Sequence, residues 1–448
     1  MNDSYLTNGS VGKGLLRFAV PVLFSSLFQT LYNTADTVIV GWYLGDTALA
    51  AMGAVAALFE LIVGFSVGCS NGFAIIAGQK YGAADEKGLK KTCAMSLYLS
   101  LGLGILLTAV FFFAIPDILN ILQTADEVYS MSLGYIRIII GGLVITILYN
   151  FEAGMLRAIG DSVSPLVVLA LSSILNIFLD IVFLMNFHMG VEGTAWATLC
   201  SQALCTILCL VWILMKRKVL VPRKTDWTLD LPLCKALAEQ GLAMGLMSSI
   251  VSIGTVILQS AINQMDLTIQ TAHAAVRKMM SLFTLVPNVG IVSASAFTAQ
   301  NTGAGKYERV TRGILLTNRF MVGYSVVMTI CAFTASNALV HLFSGTNDPN
   351  VIFNGSLYLK TNLPFFFALG ILCTLRSSLQ ALGEKKVPVI SSFIELAGKL
   401  VFTWFIIPFT GYIGVCVSEP FVWVLMMIYL ARKYERVPML EDSRPKVV

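Results

Sequence analysis

The sequence predicts an all-α integral membrane protein: twelve transmembrane helices arranged as two parallel six-helix repeats. Three observations predict it. Of the 448 residues, 56% are hydrophobic and only 12% charged, about half the charged share of a soluble domain. Apolar runs of about 20 residues, the length needed to cross a bilayer, recur along the whole chain. Finally, short motifs of the first half return in the second at a nearly constant spacing.

The apolar runs fall at 14–40, 48–76, 92–114, 128–150, 164–186 and 194–215, then at 241–264, 270–298, 314–336, 352–374, 388–408 and 412–431. Each half therefore holds six spans. An even number returns the chain to the side it started from, so the halves are parallel rather than inverted repeats. The repeated motifs agree with that division. Leu156-Arg-Ala-Ile-Gly-Asp161, followed by Pro165, returns 223 residues on as Leu379-Gln-Ala-Leu-Gly-Glu384, followed by Pro388. Tyr135-Ile-Arg137 returns as Tyr358-Leu-Lys360 at the same offset. Gln79-Lys-Tyr-Gly-Ala83 returns as Gln300-Asn-Thr-Gly-Ala304, and Gly190-Val-Glu-Gly193 as Gly411-Tyr-Ile-Gly414, both at 221.

Lys and Arg set the orientation. Of the 30, 24 fall in the two termini and the loops on one side, and the six loops of the opposite side carry none. Both termini and the central connector are thus expected in the cytoplasm of a prokaryotic inner membrane. The net charge of +5 is mostly this bias and predicts no nucleic-acid partner. The expected domains are a first six-helix region at 1–215, a charged linker at 216–240, a second six-helix region at 241–432, and a tail at 433–448.

Several function classes find no support. No cleaved signal is expected, since Met1-Asn-Asp-Ser lacks a basic stretch. The nine cysteines are scattered with no C-x-x-C, so they read as small packing residues. No P-loop and no H-E-x-x-H occurs. The expectation is a non-enzyme without cofactor, metal centre or evident ATPase subunit, and a monomer whose partners are membrane lipid and a small organic molecule.

Polar residues inside the spans are costly there and mark function. In span 1, Gln29, Asn33 and Asp36 share one helical face. In span 5, Ser172, Asn176 and Asp180 recur every four residues, and in span 6 so do Thr194, Thr198 and Gln202. Asn150 ends span 4. Two carboxylates with amides and hydroxyls form a set of hard oxygen ligands, suited to a proton or to sodium. In the second half Asn176 maps onto Lys399 and Asp180 onto Thr403. There Glu395 and Lys399 stand i,i+4 and can neutralise each other. Arg277, Lys278, Glu60 and Glu419 also lie within spans, and Glu419-Pro420 reads as a candidate helix break.

With these motifs in view, residues 13–432 resemble the multidrug and toxic compound extrusion transporters, MATE, of prokaryotic type. The resemblance implies two six-helix lobes around a central cavity. It implies a cation-coupled antiporter that exports cationic or aromatic drugs or metabolites by alternating access. It also implies a coupling site in the N-terminal lobe, made of Asp36, Asn176, Asp180 and Thr198, with Asn150 more loosely matched. Gln29, Asn33, Gln202 and Arg277 are expected at the substrate cavity. The alternative within the same superfamily is a flippase of lipid-linked precursors, which would want a cationic cavity; Arg277, Lys278 and Lys399 are its support.

Overall fold

The computed structural model describes residues 4–443. The described residues form helices and connecting turns, with no strand among them. The first helix, α1 (Val11–Gly82), is broken at Gly45, whose φ of +78° and ψ of −171° leave the helical region. It therefore supplies two spans. Next come α2 (Glu86–Ile121), α3 (Asp126–Gly141) and α4 (Leu143–Ala158). The last two meet at a 48° bend and make one broken span. The first half closes with α5 (Val163–Met185) and α6 (Val191–Lys216).

The second half follows the same plan. It runs through α7 (Leu231–Ile262), α8 (Leu267–Phe283) with α9 (Leu285–Gly303), and α10 (Tyr307–Ser344). Then α11 (Pro349–Asn362) and α12 (Phe366–Ala381) form one span, followed by α13 (Lys386–Val401), α14 (Ile407–Thr410) and α15 (Tyr412–Tyr434). With α1 counted twice and each bent pair once, twelve spans result. The predicted linker is shorter than expected, because α7 already begins at Leu231. The predicted break at Glu419-Pro420 is absent: α15 runs through Pro420. Of the predicted tail, residues 444–448 lie outside the described residues.

The chain divides into two compact units. Unit 1 takes Val20–Ser248 and the segment up to Tyr5; unit 2 takes Leu6–Ala19 and everything described from Ser249 on. Apolar burial drives little association inside lipid, so helices there approach through small residues. In unit 1, a Cβ added at Gly68 or Gly72 would fall 2.7 or 2.6 Å from the backbone oxygen of Met244 or Gln240. These glycines let α1 and α7 pack backbone to backbone. Unit 2 is built on a large core that includes Tyr358, Phe366, Met426 and Leu430.

The repeated motifs are helix ends. After α4, Gly160 has φ +89° and the Asp161 N–H donates to the Leu156 carbonyl at 2.9 Å. After α12, Gly383 has φ +98° and the Glu384 N–H donates to the Leu379 carbonyl at 3.0 Å. Both are left-handed C-terminal caps, where glycine avoids a Cβ clash. Gly190 and Gly411 open α6 and α15 with φ of +62° and +60°. These positions recur because each half must turn its chain in the same places.

Candidate functional site

Within unit 1 a cavity of about 680 Å³, its open mouth included, lies among α1, α4, α5 and α6. The α1 helix brings Gln29, Tyr32 and Asn33 to its wall. Thr146, Tyr149 and Asn150 come from α4, Ser172, Ser173 and Asn176 from α5, and Thr198, Ser201, Gln202 and Cys205 from α6. The helical period explains why one face of each helix is polar: Ser172 and Asn176 on α5, and Thr198, Gln202 and Cys205 on α6, stand three or four apart.

Much of this wall is tied to itself. The Thr146 hydroxyl donates to the Gln202 side-chain oxygen, and the Asn150 amide donates to the Thr146 carbonyl at 2.8 Å. The Ser172 hydroxyl donates to the Ser201 carbonyl. Asn150 is not at a helix end, as the sequence suggested, because α4 continues to Ala158.

The exception is Asp36, Asn176 and Asp180. Asp180 is fully buried, at 0% exposure, and Asp36 is 8% exposed. Their carboxyl groups lie within side-chain hydrogen-bonding reach of each other. Both oxygens of Asp180, Oδ1 of Asp36 and both polar atoms of Asn176 meet no partner among the described residues. Each carboxylate can only accept, so two of them in contact need a proton or a cation between them. As bare anions in a buried site they would repel and lose their hydration together. Asn176 sits one turn from Asp180, about 6 Å along α5, and joins the pair to the cavity wall.

Tyr135 of α3 lies beside both carboxyls, and Tyr32 beside Asp36. Sequence reasoning did not single out either tyrosine. Tyr135 stood in the repeated Tyr-x-basic motif, and its repeat mate Tyr358 also sits against a carboxylate, donating to Glu419 Oε2 at 2.6 Å. The repeat held that signal.

Arg277 is elsewhere. It belongs to unit 2, where its guanidinium is 3.5 Å from Glu419 Oε1, and it is not on the wall of this cavity. Lys399 is 2.9 Å from Glu395. One further pattern, Gly64-Phe-Ser66-Val-Gly68, has the spacing of a nucleophile elbow. Here it lies inside α1, with Ser66 buried and its hydroxyl given to the Ile62 carbonyl at 2.9 Å. It lacks the strand-to-helix turn that exposes such a serine.

A pair of buried carboxyls beside a polar cavity in a six-helix repeat defines a class: a multi-pass membrane transporter. The chain belongs to the MatE family. That family's profile matches it twice, over residues 21–182 and 243–405. The second match begins 222 residues after the first, which independently reproduces the internal repeat.

Curated relatives include the probable multidrug resistance protein YpnP of Bacillus subtilis, 26% identical, with 84% of each chain covered. The probable multidrug resistance protein NorM of Thermotoga maritima is 26% identical, over 97% of this chain and 96% of that one. Among solved structures, a MATE protein crystallised in a straight conformation superposes with a TM-score of 0.89 at 22% identity, covering 99% of both chains.

Proposed function

We propose that the chain is a cation-coupled antiporter that exports organic solutes, with the coupling ion held by Asp36 and Asp180. The observation that carries this reading is the buried carboxyl pair without a donor, one turn from a polar cavity. A proton or sodium ion at the pair removes the repulsion between the carboxylates. If its affinity differs between inward-open and outward-open states, its gradient biases the exchange between them. Asn176 and Thr198 supply neutral oxygens within reach of the same face. The relatives named as multidrug resistance proteins support an organic substrate. Tyr32, Tyr149 and Phe59 on the cavity wall suit flat or cationic molecules. The flippase alternative asks for a cationic cavity, whereas no Lys or Arg lines this one among the described residues. The proposed topology places both termini and the central connector in the cytoplasm of a prokaryotic inner membrane.

The test is efflux of a fluorescent organic cation, ethidium, from proteoliposomes under separately imposed proton and sodium gradients. One gradient should drive accumulation in the native protein, and neither should do so in Asp180→Asn. Uphill transport by both Asp36→Asn and Asp180→Asn would refute the assignment.

A further inference from the structure

Unit 1 holds another buried carboxyl that the proposed coupling site does not use. Glu152 lies in the last part of α4 and is 6% exposed. Its Oε2 meets no hydrogen-bond partner, and no ion pair joins it to a Lys or Arg, among the described residues. The span expected at 128–150 ended before it; α4 continues and draws Glu152 into the protein.

Its neighbours locate it relative to the cavity. The groups that face it from α6 are Cys205 and Cys209. Cys205 lines the cavity, on the same helix as Thr198 and Ser201. From α4 itself come Tyr149, which also lines the cavity, and Arg157, which lies near Tyr149 and Cys209. From α2, Cys93 reaches Met155, and α1 approaches Gly154 through Ser70 and Ala74. Cys205 and Cys209 stand 7 and 11 residues beyond Thr198, about 10–16 Å along α6 at 1.5 Å per residue. Glu152 therefore sits at the opposite end of the cavity from the Asp36–Asp180 pair, toward the side rich in Lys and Arg. The hydroxyls and amides of Asn176, Ser172, Ser173 and Ser201 lie between the two ends.

We propose that Glu152 is a proton station at the inner end of the first half, exchanging protons between the Asp36–Asp180 pair and the cytoplasmic side. The inference rests on the coupling role proposed for that pair. In the inward step, an O–H bond at the aspartate pair breaks and its proton passes through the hydroxyl-lined cavity. An O–H bond then forms at the Glu152 carboxylate. That bond in turn breaks as water or a buffer base on the cytoplasmic side takes the proton. A buried carboxyl with neither donor nor counter-charge suits this role, because burial favours the neutral, proton-carrying form and no permanent partner holds the group in place.

Everted membrane vesicles holding the full chain test it, since their bath meets the cytoplasmic face. The readout is proton-gradient-driven transport of ethidium. Glu152→Gln should lower the initial rate about tenfold while leaving the final accumulation ratio near native, because a relay sets rate and the aspartate pair sets coupling. Glu152→Asp should keep most of the rate. Azide, a small weak acid, should restore Glu152→Gln by carrying the proton in place of the side chain, and should not restore Asp180→Asn. A native rate in Glu152→Gln overturns the proposal. A slow variant that azide does not restore also overturns it, by showing a packing role. Transport driven by sodium alone overturns it as well. Uphill transport by the two aspartate variants would instead overturn the underlying coupling site, whatever Glu152→Gln does.

Discussion

The same three positions of two duplicated helices carry opposite chemistry. On α5, Ser172, Asn176 and Asp180 line one face, and the last two have polar atoms without partners. On α13 and the helical segment that continues it, 223 residues later, stand Glu395, Lys399 and Thr403. There the charges close on each other: Lys399 Nζ is 2.9 Å from Glu395 and 3.3 Å from the Thr255 hydroxyl. Glu419 is likewise satisfied by Tyr358 and Arg277. The duplicated fold thus leaves carboxyl and amide atoms of one half unpartnered and pairs the charges of the other. The geometry that the repeat preserves is the backbone's; the charge pattern sits in the side chains that differ.

The largest expected effect breaks this comparison outright. Asp36→Asn and Asp180→Asn should each abolish gradient-driven accumulation of ethidium while leaving inserted protein at native yield. Asn keeps the shape but cannot change charge on binding a cation. Ser172→Glu with Asn176→Lys, which imports the α13 arrangement into α5, should abolish it too. Asn176→Ala and Thr198→Ala should only weaken it, since each removes one neutral ligand. If Glu395→Gln stops transport and the aspartate variants do not, the two halves have been assigned the wrong way round.

The second effect concerns stability in the locked half. Removing one partner of a buried ion pair leaves an unpaired charge and costs about 3–5 kcal/mol, whereas removing both is often near neutral. Glu395→Gln and Lys399→Met should each lower the unfolding midpoint in detergent, and the double variant should recover most of the loss. Additive losses would show that the contact is not an interaction.

The comparison also shows what the sequence made legible. Span number, the repeat and the turns were readable because a bilayer demands length, and a left-handed cap demands Gly or a close substitute. The polar faces of α5 and α6 were readable from their period. Glu152 was not, because composition alone ended span 4 at residue 150, and the helix continues through a stretch with Glu and Arg. The Glu419 partner of Arg277 was not readable, because a charge inside a span says that it needs a partner and not which partner it has. Tyr135 was visible only as a repeat, with nothing local to mark it as a neighbour of Asp36.

A third test uses the paired caps. Asp161 is buried, and although burial itself pushes its carboxyl upward, hydrogen bonds from the Ser164 N–H and hydroxyl and from Arg217 hold it below the usual range. Its mate Glu384 is exposed. A carboxyl with a depressed folded value stabilises above its unfolded value, about 3.9 for Asp, and that stabilisation is lost as pH falls through the folded value. Asp161→Asn should therefore cost about 1–2 kcal/mol at pH 7. The gap from native protein should shrink below about pH 4. Glu384→Gln should change neither. Unfolding midpoints followed from pH 7 down to about pH 2, well below the unfolded value, decide it, and a gap that persists there would mean the charge of Asp161 is not what stabilises the turn.

The smallest effect sharpens the comparison at one backbone position. The turn after α1 puts Ala84 at φ +56°, and the equivalent turn after α9 puts Gly305 at φ +68°. Each is followed by the same bond, Asp85 N–H to the Lys80 carbonyl at 3.0 Å and Lys306 N–H to the Asn301 carbonyl at 2.8 Å. The two halves thus demand the same left-handed residue, and one of them supplies it with a Cβ. That conformation costs an L-residue about 1–2 kcal/mol, part of which is offset because alanine leaves the unfolded chain with less freedom than glycine does. A Cβ at Gly305 would meet nothing within 4 Å, so no packing contact confuses the measurement. Gly305→Ala should lower stability by about 1 kcal/mol and Ala84→Gly should raise it by somewhat less. Both should leave transport unchanged, because neither turn touches the carboxyl pair. Changes of the same sign in the two variants would show that the turns are not equivalent, and that the repeat at this position is one of sequence without shared backbone strain.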